Sequence, residues 1–243
     1  MNKYRTVFLI VVVLIAVTGF GLILRGNLQP TVVANKNLNA PKITVKYVYQ
    51  NQPLTIELNQ VAVDALEGAR FVSGAKTAPF TVVEFSDYEC PACGVFATEY
   101  ESAFVAKFVS SGKVRFAYRD FPLPQHSNAN IASLAAACAF DQGKFADFKA
   151  ILFRAQNDWS QSPQARALSQ FGDYANQLGL DSVKLGACIN SAQGQASIDA
   201  DLAMGKRVGL SATPSFVING YLVAGVLPLE GFQAVFDALE EKR

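Results

Sequence analysis

Apolar and polar positions fall into blocks of different period along this chain, and the first block is the longest uncharged apolar run, Val7 to Leu24. As a helix rising 1.5 Å per residue it would span about 27 Å, close to the ~30 Å of bilayer hydrocarbon. Residues 1–25 therefore read as a single membrane anchor. A secretory signal peptide is the competing reading, since a basic start followed by an apolar core fits that too. The run is longer than the ~7 to 15 residues of a typical signal core, and Val32-Val33-Ala34, a possible cleavage sequence, lies beyond Pro30 and far from the run. Lys3 and Arg5 outweigh Arg25 in the flanks, which keeps the short N-terminus in the cytoplasm and places everything after residue 25 on the other side. Residues 26–42 are rich in Asn, carry Pro30 and Pro41 and show no apolar period, so they read as a tether.

Beyond the tether, Ile43 to Tyr49 and Leu54 to Leu58 alternate in part around Gln50-Asn51-Gln52-Pro53, which predicts a short hairpin. Residues 43–77 form an N-terminal extension of unread role, and Glu67 to Ala78, glycine-bearing and small, reads as an irregular lead-in. Phe80 to Phe85 has the pattern of a buried strand, the segment from Cys90 to about Ser110 that of a helix, and Val114 to Tyr118 that of a second strand. Together they predict a right-handed βαβ unit. From 126 to 208 strand alternation disappears and helix punctuation replaces it. Ser127 or Asn128 can cap a helix to about Phe140, and Gly143 precedes another to about Asn157. Ser162-Pro163 reads as an N-cap with proline at the first helical position, Gly179 as a terminus, and Asp181 as the next cap. A last helix runs from Gln195 to Val208 and stops at Gly209, which makes four or five helices. Then Pro214 to Ile218, the turn Asn219-Gly220 and Tyr221 to Ala224 predict a hairpin, and Leu229 to Lys242 a final helix.

The fold class that results is α/β: a thioredoxin-like core, β-α-β then β-β-α, over 78–125 and 209–243. A helical domain is inserted at 126–208, and one N-terminal transmembrane helix precedes the whole.

Charge changes this picture little. A formal net charge of +1 supplies no argument for nucleic acid or for an acidic partner. The cysteines change it more. Cys90-Pro91-Ala92-Cys93 opens the predicted helix, where unpaired backbone N–H groups and the helix dipole favour a thiolate at Cys90. Cys93 falls on the same helix face and can attack a mixed disulfide formed there. A CxxC can also be half of a zinc site. Zinc needs about four Cys or His ligands, and this chain has no second CxxC and a single histidine, so no metal or cofactor is expected. All four cysteines follow the apolar run, on the side where disulfides persist. Three pairings are possible; Cys90 with Cys93 is the local choice and leaves Cys138 with Cys188.

Several segments together are similar to the DsbA-type thiol-disulfide oxidoreductases, particularly membrane-anchored bacterial ones. They are Val82 to Cys93, Arg119-Asp120-Phe121-Pro122-Leu123, Gln142-Gly143-Lys144-Phe145 and Ala212 to Gly220. The resemblance runs from about Ala78 to the C-terminus. It implies that Cys90 is the exposed attacking cysteine and Cys93 the buried resolving one, joined in a transferable disulfide. It implies that Glu84 is a buried acid that can shuttle protons to Cys93, against the plainer reading of an edge-facing or salt-bridged glutamate. Thr213-Pro214 would be a cis-proline loop facing the CxxC, with the Thr213 backbone pairing to extended substrate, against an ordinary trans proline. Cys138 and Cys188 would bridge the helical insert, against a buried free pair.

The function implied is that of an extracytoplasmic oxidase that introduces disulfides into reduced exported proteins, on the periplasmic or extracellular side of the membrane that residues 7–24 would span. Its partner would be a membrane re-oxidase of the DsbB or vitamin K epoxide reductase type. A disulfide reductase or isomerase is the alternative, and a non-redox peptide-binding domain the third reading. Two features depart from the simplest family pattern: the Pro-Ala dipeptide, whose Ala92 lends the Cys90 thiolate no charge, and the Cys138 with Cys188 pair, which related subgroups carry as a structural bridge. Asp87 and Glu89 would also oppose the thiolate if they point inward. His126, without a recognisable acid partner, reads as a packing or capping residue.

Overall fold

The computed structural model describes residues 42–242. The anchor expected over 1–25 and nearly all of the tether lie outside them. No helix among the described residues is long and apolar enough to cross a membrane.

Seven strands form one sheet: β1 (Lys42–Tyr49), β2 (Gln52–Gln60), β3 (Phe71–Ser73), β4 (Phe80–Ser86), β5 (Val114–Asp120), β6 (Ser215–Ile218) and β7 (Tyr221–Ala224), in the order β1-β2-β7-β6-β4-β5-β3. β4 and β5 are parallel, joined through helix α1 (residues 91–109), and every other pairing is antiparallel. Helix α1 alternates α-helical Pro91–Val95 and Glu101–Phe104 with π-helical Phe96–Tyr100 and Val105–Val109. The β6–β7 turn has positive φ at both Asn219 (45°) and Gly220 (82°), the geometry that matches the twist of a two-residue hairpin.

The hairpin at 43–58 is part of this sheet. β2 pairs with β7 at Asn59↔Leu222 and Gln60↔Tyr221, and Ile43 and Val45 share a core with Phe232 and Val235 of the last helix, α8 (Leu229–Glu240). The lead-in expected to be irregular contributes β3, which pairs with β5 on the opposite edge. Three residues are too few for alternation to register as a signal.

Both faces of the central strands are covered, which is why β4 reads as an apolar run. On one face Phe80, Val82 and Phe116 pack with Phe96, Phe104 and Phe108 of α1 and Phe232 and Phe236 of α8. On the other, Val83, Phe85 and Ala117 pack with Met204 and Val208.

Between β5 and β6 lie six helices rather than four or five: α2 (Ala129–Asp141), α3 (Phe145–Arg154), α4 (Gln156–Trp159), α5 (Gln164–Gln177), α6 (Ser182–Ile189) and α7 (Ala192–Val208). The stretch expected to be one helix to Asn157 breaks at Ala155 (φ −97°, ψ 16°). Ser162 is not a cap; Pro163 keeps an extended ψ of 142° and the helix begins one residue later. Asp181 does cap α6, accepting from the Lys184 N–H at 2.9 Å. Asn128 flanks α2, but its side chain donates to the carbonyls of Trp159, Ser160 and Ser162, tying α2 to the end of α4. A disulfide between Cys138 and Cys188, with Cα atoms 5.8 Å apart, joins α2 to α6.

Candidate active site

β4 delivers the site. Its alternation sends Glu84 and Ser86 to the same face, and the chain then turns through Asp87 to Cys90. The Asp87 carboxylate accepts the Glu89 N–H at 2.7 Å, and the Cys90 N–H donates to the Asp87 carbonyl at 3.1 Å. Cys90 is extended (φ −72°, ψ 121°) immediately before α1, and Pro91 is the first helical residue, where its missing N–H costs nothing. The insert braces this turn: Gln156 Nε2 donates to the Tyr88 and Cys90 carbonyls at 2.7 and 2.9 Å. Gly94 leaves room for that side chain, since a Cβ there would lie 2.8 Å from Gln156 Oε1.

Cys90 and Cys93 are free thiols. The attacking cysteine expected to be exposed is in fact 7% exposed, while Cys93 is fully buried. The Thr213–Pro214 peptide is cis, and Cys90 Sγ lies 3.4 Å from the Thr213 carbonyl. The Gly225 N–H donates to the Pro214 carbonyl and Ser215 Oγ to the Ala212 carbonyl, both at 2.8 Å, so β7 and the loop itself hold this segment against the thiol.

The pKa values of the two thiols are driven in opposite directions. Hydrogen bonding from Cys93 lowers the Cys90 pKa to about 6; burial opposes this, while Thr213 and the Cys93 and Ala92 N–H groups assist. Ala92 thus helps through its backbone, though its side chain carries no charge. Cys93 is raised well above its ordinary value, first by burial and then by Cys90 itself. The carboxylates of the two upstream acids are bound by groups other than the thiols. Asp87 Oδ2 takes the Leu123 N–H and His126 Nδ1, each at 2.7 Å, and Glu89 Oε2 takes the Asn128 N–H at 2.7 Å. His126 therefore has an acid partner that the sequence did not reveal, thirty-nine residues away.

Glu84 is fully buried, not edge-facing, and Lys149 Nζ of α3 lies 3.8 Å from it. Burial raises its pKa to about 7 against the opposing pull of Lys149, with Glu101 adding to the rise and the Ser86 hydroxyl lowering it. Ser86 also lowers the Cys93 pKa. Lys149 bonds Glu101 and lies 4.5 Å over the Tyr118 ring. It was legible only as an anomaly, a lysine inside the buried stripe of Phe148, Ile151 and Leu152. A second buried acid, Asp120, pairs in register with Ser86, and burial followed by the Asp201 carboxylate pushes it well up. Its neighbour in sequence, Arg119, bonds Asp201 and the Ala65 and Glu67 carbonyls.

Residues 67–238 match the family model described as Thioredoxin. Among solved structures, a thioredoxin-like oxidoreductase from Silicibacter pomeroyi DSS-3 is 30% identical, aligns over 74% of this chain and 96% of its own, and has a TM-score of 0.57. The alpha-DsbA1 of Wolbachia pipientis, 21% identical over 73% of this chain and 96% of its own, shares the fold with a TM-score of 0.64. Disulfide bond formation protein D of Bacillus subtilis (strain 168) is 29% identical over 63% of this chain and 68% of its own length. A Na(+)/H(+) antiporter, NhaA 3 of Salinispora tropica, is 31% identical over 67% of this chain, which spans only 24% of that relative's length.

Proposed function

This chain belongs to the thioredoxin family, and on that footing we propose that it is a thiol-disulfide oxidoreductase that introduces disulfides into reduced exported proteins. The observation that carries the reading is a pair of free thiols at the start of α1, Cys93 fully buried and Cys90 Sγ 3.4 Å from the Thr213 carbonyl. A substrate thiolate attacks Cys90 of the Cys90–Cys93 disulfide, forming a mixed disulfide, and Cys93 departs with the electron pair and takes a proton. Glu84, with a pKa of about 7, is the buried acid for that proton. The second substrate thiolate then attacks its partner sulfur and releases Cys90 as a stabilised thiolate, a good leaving group because its pKa is low. An extended substrate backbone pairs with Thr213 beside Pro214, giving affinity without sequence selectivity.

The apolar run at 7–24 supports a single-pass anchor with the catalytic domain outside the cytoplasm. From there a membrane re-oxidase of the DsbB or vitamin K epoxide reductase type restores the disulfide. The test is Cys93→Ala, which leaves Cys90 able to form a mixed disulfide that nothing resolves. Non-reducing gels of the cell envelope should show adducts to exported proteins that vanish with Cys90→Ala. A Cys90–Cys93 couple that does not exchange with glutathione at neutral pH would identify a non-redox domain instead.

A further inference from the structure

Three of the bonds that hold the turn between β4 and α1 converge on one acceptor, the Asp87 carboxylate. The Asp87 carboxylate is fully buried and accepts from three groups on two segments: the Glu89 N–H in its own turn, and the Leu123 N–H and His126 Nδ1 beyond β5, each at 2.7 Å. The Asp87 N–H, fixed by these anchors, lies 3.4 Å from Cys93 Sγ. Cys93 has no exposed surface, so charge arriving on its sulfur must be met by fixed dipoles.

We propose that the Asp87 N–H is the donor that stabilises Cys93 as it leaves, and that the Asp87 and His126 side chains are positioning residues that hold this donor on the sulfur. The proposal rests on the exchange reaction above. In that reaction the substrate–Cys90 bond forms as the Cys90–Cys93 bond breaks. The electron pair passes to Cys93 Sγ opposite the Asp87 N–H, and the proton that follows gives the thiol. Resolution retraces the same path, with Cys93 losing its proton and attacking Cys90. Neither end state carries a Cys93 thiolate, so the donor lowers the barrier in both directions and leaves the equilibrium almost unmoved. The Asp87 N–H and the Ser86 hydroxyl both pull the Cys93 thiol down against burial, which agrees with this arrangement.

The experiment measures the rate of glutathione exchange in both directions, and the equilibrium ratio, for the full chain and its variants. Deleting a preorganised donor costs on the order of 100- to 1,000-fold in other sites. Here the donor is loosened rather than removed, so His126→Ala should slow both directions by roughly tenfold. The equilibrium ratio and the Cys90 pKa should stay where they are. His126→Asn, whose amide can replace Nδ1 as donor, should restore most of the rate. Asp87→Ala should exceed His126→Ala; should Asp87→Ala fail to fold, the two His126 variants decide alone. Unchanged rates with only a lower melting temperature would overturn the proposal, as would a shift of the equilibrium ratio as large as the rate change. Wild-type protein inert to glutathione would instead remove the oxidoreductase reading itself.

Discussion

Ionisation of Cys90 should be readable as pH-dependent stability of the reduced protein. In the folded dithiol Cys90 titrates at about 6 rather than at its ordinary 9. Between those values the folded chain has released a proton that the unfolded chain still holds, so stability rises with pH by about 1.4 kcal/mol per unit. The contribution is absent below pH 6, amounts to about 1.4 kcal/mol at pH 7 and reaches about 4 kcal/mol above pH 9. The disulfide form has no such thiolate, so the same ionisation favours the dithiol and raises the reduction potential by about 30 mV at pH 7. Cys90→Ser removes the titration at nearly constant volume. Urea unfolding of reduced wild type and Cys90→Ser, with Cys138–Cys188 left oxidised in both, is measured near pH 5.5, 7.0 and 8.5. The stability difference should shift in favour of wild type by about 3 kcal/mol across that range. A difference that stays flat with pH, or shifts the other way, refutes the reasoning. It would mean that the contacts with Cys93, Thr213 and the helix N–H groups do not outweigh the burial of the sulfur.

Glu84 gives the opposite sign: its pKa rises from 4.5 to about 7, so the folded chain holds a proton the unfolded chain has lost, and stability drains away as pH rises through that window. Glu84→Gln should therefore be more stable than wild type by about 3 kcal/mol near pH 8 and equal to it below pH 4.5, by urea unfolding; a variant destabilised near pH 8 would contradict the burial argument. Cys138→Ser with Cys188→Ser opens a link spanning a sequence separation of 50 and should lower stability by about 4 kcal/mol in the chain-entropy model. The Cys90–Cys93 potential should stay unchanged in a redox titration of the same sample, and lost turnover without lost stability would indicate an electron relay instead.

What the sequence determined by itself is what local chemistry decides. Short apolar runs marked β4 and β5, Asn219-Gly220 marked the last hairpin, Asp181 and Gly209 punctuated the insert, and a CxxC at a helix start announced a thiolate. These signals act within a few residues, where backbone sterics and capping dominate. Resemblance to a known family added Glu84, Thr213 and Pro214, none of which local pattern alone could single out, and gave the Cys138–Cys188 pair, already left over by the local choice of Cys90 with Cys93, its role as a bridge.

Tertiary structure decided the rest. The β1–β2 hairpin has the same local pattern whether or not its edge meets β7, and β3 is too short to announce itself at all. The charges of Asp87 and Glu89 looked adverse in sequence, yet the loop after β5 and the start of α2 supply N–H groups that bind them. Lys149 reaches Glu84 across sixty-five residues of chain, and His126 reaches Asp87 across thirty-nine. A pKa is set by burial and by the charges within a few ångströms. Those neighbours come from elements that meet only once the insert has closed over the sheet, so the reactivity of the two cysteines is a property of the packed fold rather than of the motif.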